Sequence, residues 1–158
     1  MSGRMVLGIG NRLGGDDAAG ILVVDILNRK RQRLNASVVD EVMAIDAGTA
    51  PESYTSVIRR QRPDLLIMVD AADMGLTPGT LRIITPDRIS TVSFSTHHMP
   101  LSMFISYAKE FCGKVLLVGV QPERTETGSS ISRVVRKSVG KLAEAILKGQ
   151  ISEISLLE

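Results

Sequence analysis

Residues Met5–Gly20 read MVLGIGNRLGGDDAAG. An apolar run, Met5 to Ile9, meets a glycine, crosses a polar glycine-rich loop and enters DDAAGILVVDILNRKRQRL, where Ile21, Val24, Ile26 and Leu27 recur at helical spacing. A short apolar run closed by glycine predicts a buried strand, and the spacing after it predicts a helix whose late basic residues suit a C-terminus. Strand, glycine turn, helix is the opening unit of a parallel α/β sheet.

The same alternation continues outward from this unit. SVVDEVMAID is strand-like and ends at Asp46, ESYTSVIRRQRP predicts a short helix stopped by Pro63, and DLLIMVDAA is the strongest buried-strand signal in the chain. PGTLRIIT predicts a strand after the Pro78-Gly79 turn. PLSMFISYAKEFCG predicts a helix from Pro100 to Gly113, KVLLVGVQP a strand, and SSISRVVRKSVGKLAEAILKG a long amphipathic helix ending at Gly149. The tail QISEISLLE fits either a loose end or a strand lent to a partner. The expected fold is a single α/β domain over residues 1–158, with a twisted, mostly parallel sheet of about five strands between helices.

Composition narrows the function. Aromatic residues are 3% of the chain and Trp is absent, so a base-stacking nucleic-acid surface is disfavoured, and a net charge of +2 gives no reason to expect a polyanion partner. Cys112 is the sole cysteine, which excludes an intrachain disulfide. Placed late in a helix, it reads as an inert packing thiol. The apolar run Met5–Ile9 is too short for a signal peptide or membrane span, so the expected location is cytoplasmic, without membrane association.

The glycine loop invites a nucleotide reading, but the pattern fails. After Gly8-x-Gly10 the third glycine position is Leu13, no Gly-Lys-Ser/Thr exists, and Asp16 and Asp17 would repel a pyrophosphate at the helix start. No G-x-S-x-G or H-E-x-x-H occurs either. What does recur is a carboxylate at the carboxyl end of each early strand: Asp17, Asp46 and Asp70. Like charges repel, so their gathering on one sheet edge calls for a cation among them. Each also has a plainer use, Asp16 or Asp17 as helix cap and Asp46 or Asp70 as turn former. His97 and His98, the only histidines, precede the Pro100 helix, and two carboxylates with one imidazole suit Zn, Ni, Mn or Fe.

In order along the chain, GIGNRLGGDDAAG, IDAGTAPES, LLIMVDAADMGLTPG, STHHMPLS and VGVQPE resemble blocks of the NiFe-hydrogenase maturation endopeptidases, over about Met5 to Glu123. The likeness is closest to the branch serving formate-hydrogenlyase and energy-converting hydrogenases. It implies an aspartic-type peptidase that removes a C-terminal peptide from the nickel-loaded precursor of the hydrogenase large subunit, its partner. It also implies Asp17 and Asp70 as catalytic and metal-contacting carboxylates, His97 as the third metal ligand, and Asp46, Gly48 and Thr49 as a recognition segment. His98 falls at a variable position, and Ala18 stands where many members have Gly. The metal implied is nickel presented by the substrate, and a resident metal is left open. A non-catalytic nickel-sensing chaperone is the alternative.

Of the methionines, Met74 and Met99 are the best candidates for a substrate surface. The basic residues Arg133, Arg136, Lys137 and Lys141 read as a solvated helix face.

Overall fold

A computed structural model of the chain describes residues 3–33, 42–94 and 99–158. The strands are β1 (Arg4–Ile9), β2 (Val42–Gly48), β3 (Leu65–Asp73), β4 (Leu81–Ile83), β5 (Ser93–Phe94) and β6 (Lys114–Val120). The helices are α1 (Ala19–Arg33), α2 (Thr55–Gln61), α3 (Leu101–Ala108) and α4 (Arg133–Leu147).

The sheet runs β2-β1-β3-β6-β4, with the two-residue β5 pairing off this path on β3. β2, β1, β3 and β6 are mutually parallel, whereas β4 is antiparallel to β6 and β5 antiparallel to β3. The expectation of about five strands in a mostly parallel sheet describes the main path, and β5 is the addition. DLLIMVDAA reads as one continuous apolar run because β3 is central, paired on both edges and covered on both faces.

Side chains alternate between two cores. Val6, Ile67, Val69, Val118 and Val120 pack with Val23, Val24 and Leu27 of α1 and Val139, Leu142 and Ile146 of α4. Met5, Leu7, Leu66, Met68 and Leu117 pack on the other face with Ile58 of α2 and Leu101, Phe104 and Ile105 of α3. Phe104 is the largest fully buried side chain, and aliphatic residues fill nearly all the rest. Removing one such residue from a core of this kind costs about 2–5 kcal/mol.

α1 lies unusually close to the sheet. A Cβ on Gly20 would collide with the carbonyl oxygens of Val69 and Ile9, so only glycine lets the helix start settle across β1 and β3. Four residues of 3-10 helix, Gly15–Ala18, precede α1, so the α-helix begins at Ala19 rather than at Asp16. α3 is shorter than its sequence pattern, ending at Ala108 in successive tight turns to Gly113. α2 ends at Gln61, where Arg62 turns left-handed (φ 43°) just before Pro63.

The tail is neither loose nor free for a partner. The Ile83 amide donates to Ser155 O at 2.9 Å, and the Leu157 amide donates to Ile83 O at 2.9 Å, so residues 155–157 lie parallel along β4. Ile151 is buried in the α1/α4 core and anchors this return.

Candidate functional site

In the strand order, the chain moves from β1 to one neighbour, β2, and then back to the other, β3. The crossovers on either side of β1 thus part in opposite directions, and in open parallel sheets the crevice so formed is where ligands bind. The loop after β1 and the carboxyl half of β3 flank this switch point.

The acidic pair after β1 divides its labour. Asp16 is fully buried and accepts four hydrogen bonds, from the amide of Ser132 at 2.6 Å, its hydroxyl at 2.8 Å, and the amides of Glu123 at 2.8 Å and Arg124 at 3.1 Å. Its own amide donates to Arg124 O at 2.8 Å. Burial alone would raise its pKa, but the bonds from Ser132, Glu123 and Arg124 outweigh burial and hold the carboxyl below its ordinary value. Asp16 is thus a clasp joining the β1 loop to the segment after β6 and to the start of α4. Asp17, one residue on, is 7% exposed and forms part of a cleft wall instead.

That cleft opens at the carboxyl ends of β1, β3 and β6 and holds about 350 Å³. Asp17, Ala71, Asp73, Phe94, Gln121 and Arg124 are among the residues around it. One water needs about 10–15 Å³ of such space, so the cleft is far roomier than a lone ion requires.

Asp70 does not end its strand, as the sequence suggests. β3 runs three residues further, to Asp73. Pairing with β1 stops at Gly8–Val69, while pairing with β6 continues through Asp70–Gly119. Asp70, fully buried, is therefore the first β3 residue beyond the parting of β1 and β3. It is directly followed by Ala71 of the cleft wall.

Asp46, Gly48 and Thr49 lie apart from that wall. Asp46 Oδ1 accepts from the Gly48 amide at 2.9 Å, closing a local turn, and Gly48 has φ 56°. Asp46 Oδ2 accepts from Arg12 Nη2 at 3.1 Å, and Arg12 also forks onto Asp25 at 2.7 and 2.9 Å. Asp25 and Asp46 both favour the charged guanidinium, and Arg12 holds the Asp25 carboxyl below its usual range. Thr49 is exposed.

His97 and His98 lie outside the described residues. Among those described, no group of three His, Cys, Asp or Glu side chains gathers as a metal site. Met74 and Met99 are half-buried against the α2/α3 core, while the four basic residues named on α4 are exposed. Burial pushes the Cys112 thiol up to about 11, as befits an inert packing residue.

Sequence reasoning missed Gln121 and Asp73. Gln121 is 6% exposed; its Oε1 accepts from the amides of Met74 at 2.7 Å and Leu76 at 3.3 Å, and its Nε2 donates to Asp73 Oδ1 at 3.1 Å. It follows the apolar run of β6 directly. The strand-end rule that selects Asp17, Asp46 and Asp70 selects it too, once side-chain amides count beside carboxylates and imidazoles.

The chain's known relatives point one way. The sequence model of the HycI hydrogenase maturation protease family matches residues 21–149. The hydrogenase 3 maturation protease of Escherichia coli K12 is 41% identical over 120 residues, covering 75% of this chain and 72% of that protein. The solution structure of the endopeptidase HycI from Escherichia coli superposes with a TM-score of 0.83 at 33% identity, covering 100% of this chain and 97% of the other. The crystal structure of the NiFe hydrogenase maturation protease HycI from Thermococcus kodakarensis gives 0.80 at 33% identity, over 94% and 92%.

Proposed function

We propose that this chain, which belongs to the hydrogenase maturation protease family, removes a C-terminal peptide from a NiFe-hydrogenase large-subunit precursor and reads the nickel that the precursor carries. With membership in a protease family, the non-catalytic chaperone alternative falls away. Among the described residues no helix is long and apolar enough to cross a membrane.

In this reading nickel belongs to the substrate, held by thiolates of the precursor. Asp17, Asp70 and His97 complete its surroundings with two anionic oxygens and one imidazole nitrogen, a donor set that suits a borderline divalent ion. The observation that carries the reading is the position of Asp17 and Asp70 on either side of the switch point, with Asp17 in the cleft wall. A cation held between two such carboxylates would offset their mutual repulsion.

Two chemistries follow for the cut. The bound ion can polarise the scissile carbonyl and acidify a water, or Asp17, beside the peptide in the cleft, can take the proton from that water. Asp46, Gly48 and Thr49, at the end of the neighbouring β2, serve as an outlying contact for the precursor.

The test incubates nickel-loaded and nickel-free precursor with the protein and measures the product mass. The wild type should shorten only the loaded form, and Asp17→Ala or His97→Ala, still folded, should leave it whole. Equal cutting of both forms, or normal cutting by either variant, would defeat the assignment.

A further inference from the structure

The strand β6 ends at Val120, and the next residue reaches sideways under the loop that follows β3. The backbone of Gln121 is fixed first: its amide donates to Thr80 O at 2.9 Å and its carbonyl accepts from the Gly79 amide at 2.8 Å. The side chain then spends both ends of its amide on one short segment, accepting from the Met74 and Leu76 amides and donating to Asp73. Asp73 Oδ1 also accepts from the Gly75 amide at 3.1 Å, so this carboxylate oxygen serves the loop's own geometry. Only a primary amide of this length can accept and donate at once here. A carboxylate would face Asp73 with like charge, and an aliphatic side chain would strand two loop amides. Of the segment so held, Asp73 lines the cleft, as does Gln121 itself.

We propose that Gln121 is a positioning residue for substrate: it fixes the Asp73–Leu76 loop in the shape against which the incoming precursor segment packs. This rests on the protease reading above. The shape of the wall governs how well the precursor is held, and the chemical step lies with other residues. Loss of Gln121 therefore weakens precursor binding and leaves turnover of bound precursor largely alone.

Three variants test this: Gln121→Leu, Gln121→Glu, and Gln121→Glu combined with Asp73→Asn. Amide hydrogen exchange on the free protein reads the loop. Kd, KM and kcat with nickel-loaded precursor read the cleft. Gln121→Leu should speed exchange at Met74 and Leu76 by about tenfold or more. Gln121→Glu is isosteric and keeps an acceptor for both amides, but its charge opposes Asp73, so exchange should speed at Gly75, whose amide Asp73 holds, rather than at Met74 and Leu76. Both single variants should raise Kd and KM by about tenfold with kcat within about twofold. The double variant removes the like-charge repulsion, but the new amide at position 73 can then serve either the carboxylate at position 121 or the Gly75 amide and not both. It should therefore lower Kd by about threefold from that of Gln121→Glu without reaching wild type.

Unchanged Kd in both single variants, or a double variant no better than Gln121→Glu, would overturn the proposal, as would a loss confined to kcat. If the wild type binds the precursor without cutting it, the protease reading fails, while the Kd ratios still decide the role of Gln121.

Discussion

Asp16 offers the sharpest test of how this structure holds its site together. Replacing it with Ala removes the acceptor for three backbone amides, those of Glu123, Arg124 and Ser132, and for the Ser132 hydroxyl. A buried donor left without an acceptor costs about 1–3 kcal/mol. The hydroxyl can rotate to another partner, and the Glu123 and Arg124 amides lie near the cleft, where water can reach them. We therefore expect a net loss of about 3–5 kcal/mol, a large share of a total stability of about 5–15 kcal/mol. Asp16→Asn separates charge from shape. With its oxygen at the Oδ2 position it still accepts from Glu123, Arg124 and the hydroxyl, but it turns an N–H₂ toward the Ser132 amide, at a cost of about 1–3 kcal/mol.

The pH dependence follows from the direction of the shift. The folded carboxyl titrates below its ordinary value, so its contribution is fully present above the unfolded pKa of about 3.9. It fades as pH falls from there through the lower folded pKa. Urea denaturation at pH 7 and at steps down to about pH 3 measures both effects. Asp16→Asn should be less stable than wild type at pH 7, with the gap narrowing in acid. A variant within about 0.5 kcal/mol of wild type at pH 7, or one with the same acid limb, would refute the clasp.

Two other substitutions probe the frame around the site. Gly20→Ala drives a methyl into the carbonyls of Val69 and Ile9 and should cost about 3 kcal/mol or more; thermal unfolding reads it, and a wild-type-like Tm would show that α1 can lift off the sheet cheaply. Arg12→Ala breaks ion pairs with Asp25 and Asp46 whose side chains are substantially exposed, so the loss should stay below about 1 kcal/mol and shrink further in high salt. Denaturation at two ionic strengths checks both points.

Long, strongly patterned elements were legible in the sequence. Nine residues of β3 announce themselves because burial on both faces leaves no polar position until Asp70. α4 is as clear, since Val135, Val139, Leu142, Ala143 and Ile146 form a stripe behind a Ser132 cap. β5 has two residues and exists only through its pairing with Ala72 and Asp73, a tertiary fact with no local pattern. The tail was ambiguous for the same reason: its hydrogen bonds go to Ile83, some seventy residues away. At the site, the strand-end rule selects Asp17, Asp46 and Asp70, of which Asp17 alone is among the residues lining the cleft, and nothing local distinguishes Asp16 from Asp17. Their separation depends on which one meets Ser132, more than a hundred residues later in the chain.

The return of residues 155–157 along β4 has a bearing on solubility. A short antiparallel margin strand with open amides and carbonyls is a template for another molecule's backbone. Here the outer amide and carbonyl of Ile83 are already taken up by Ser155 and Leu157, which narrows what β4 still offers to another backbone. Pulling on Leu157 would tug directly on β4.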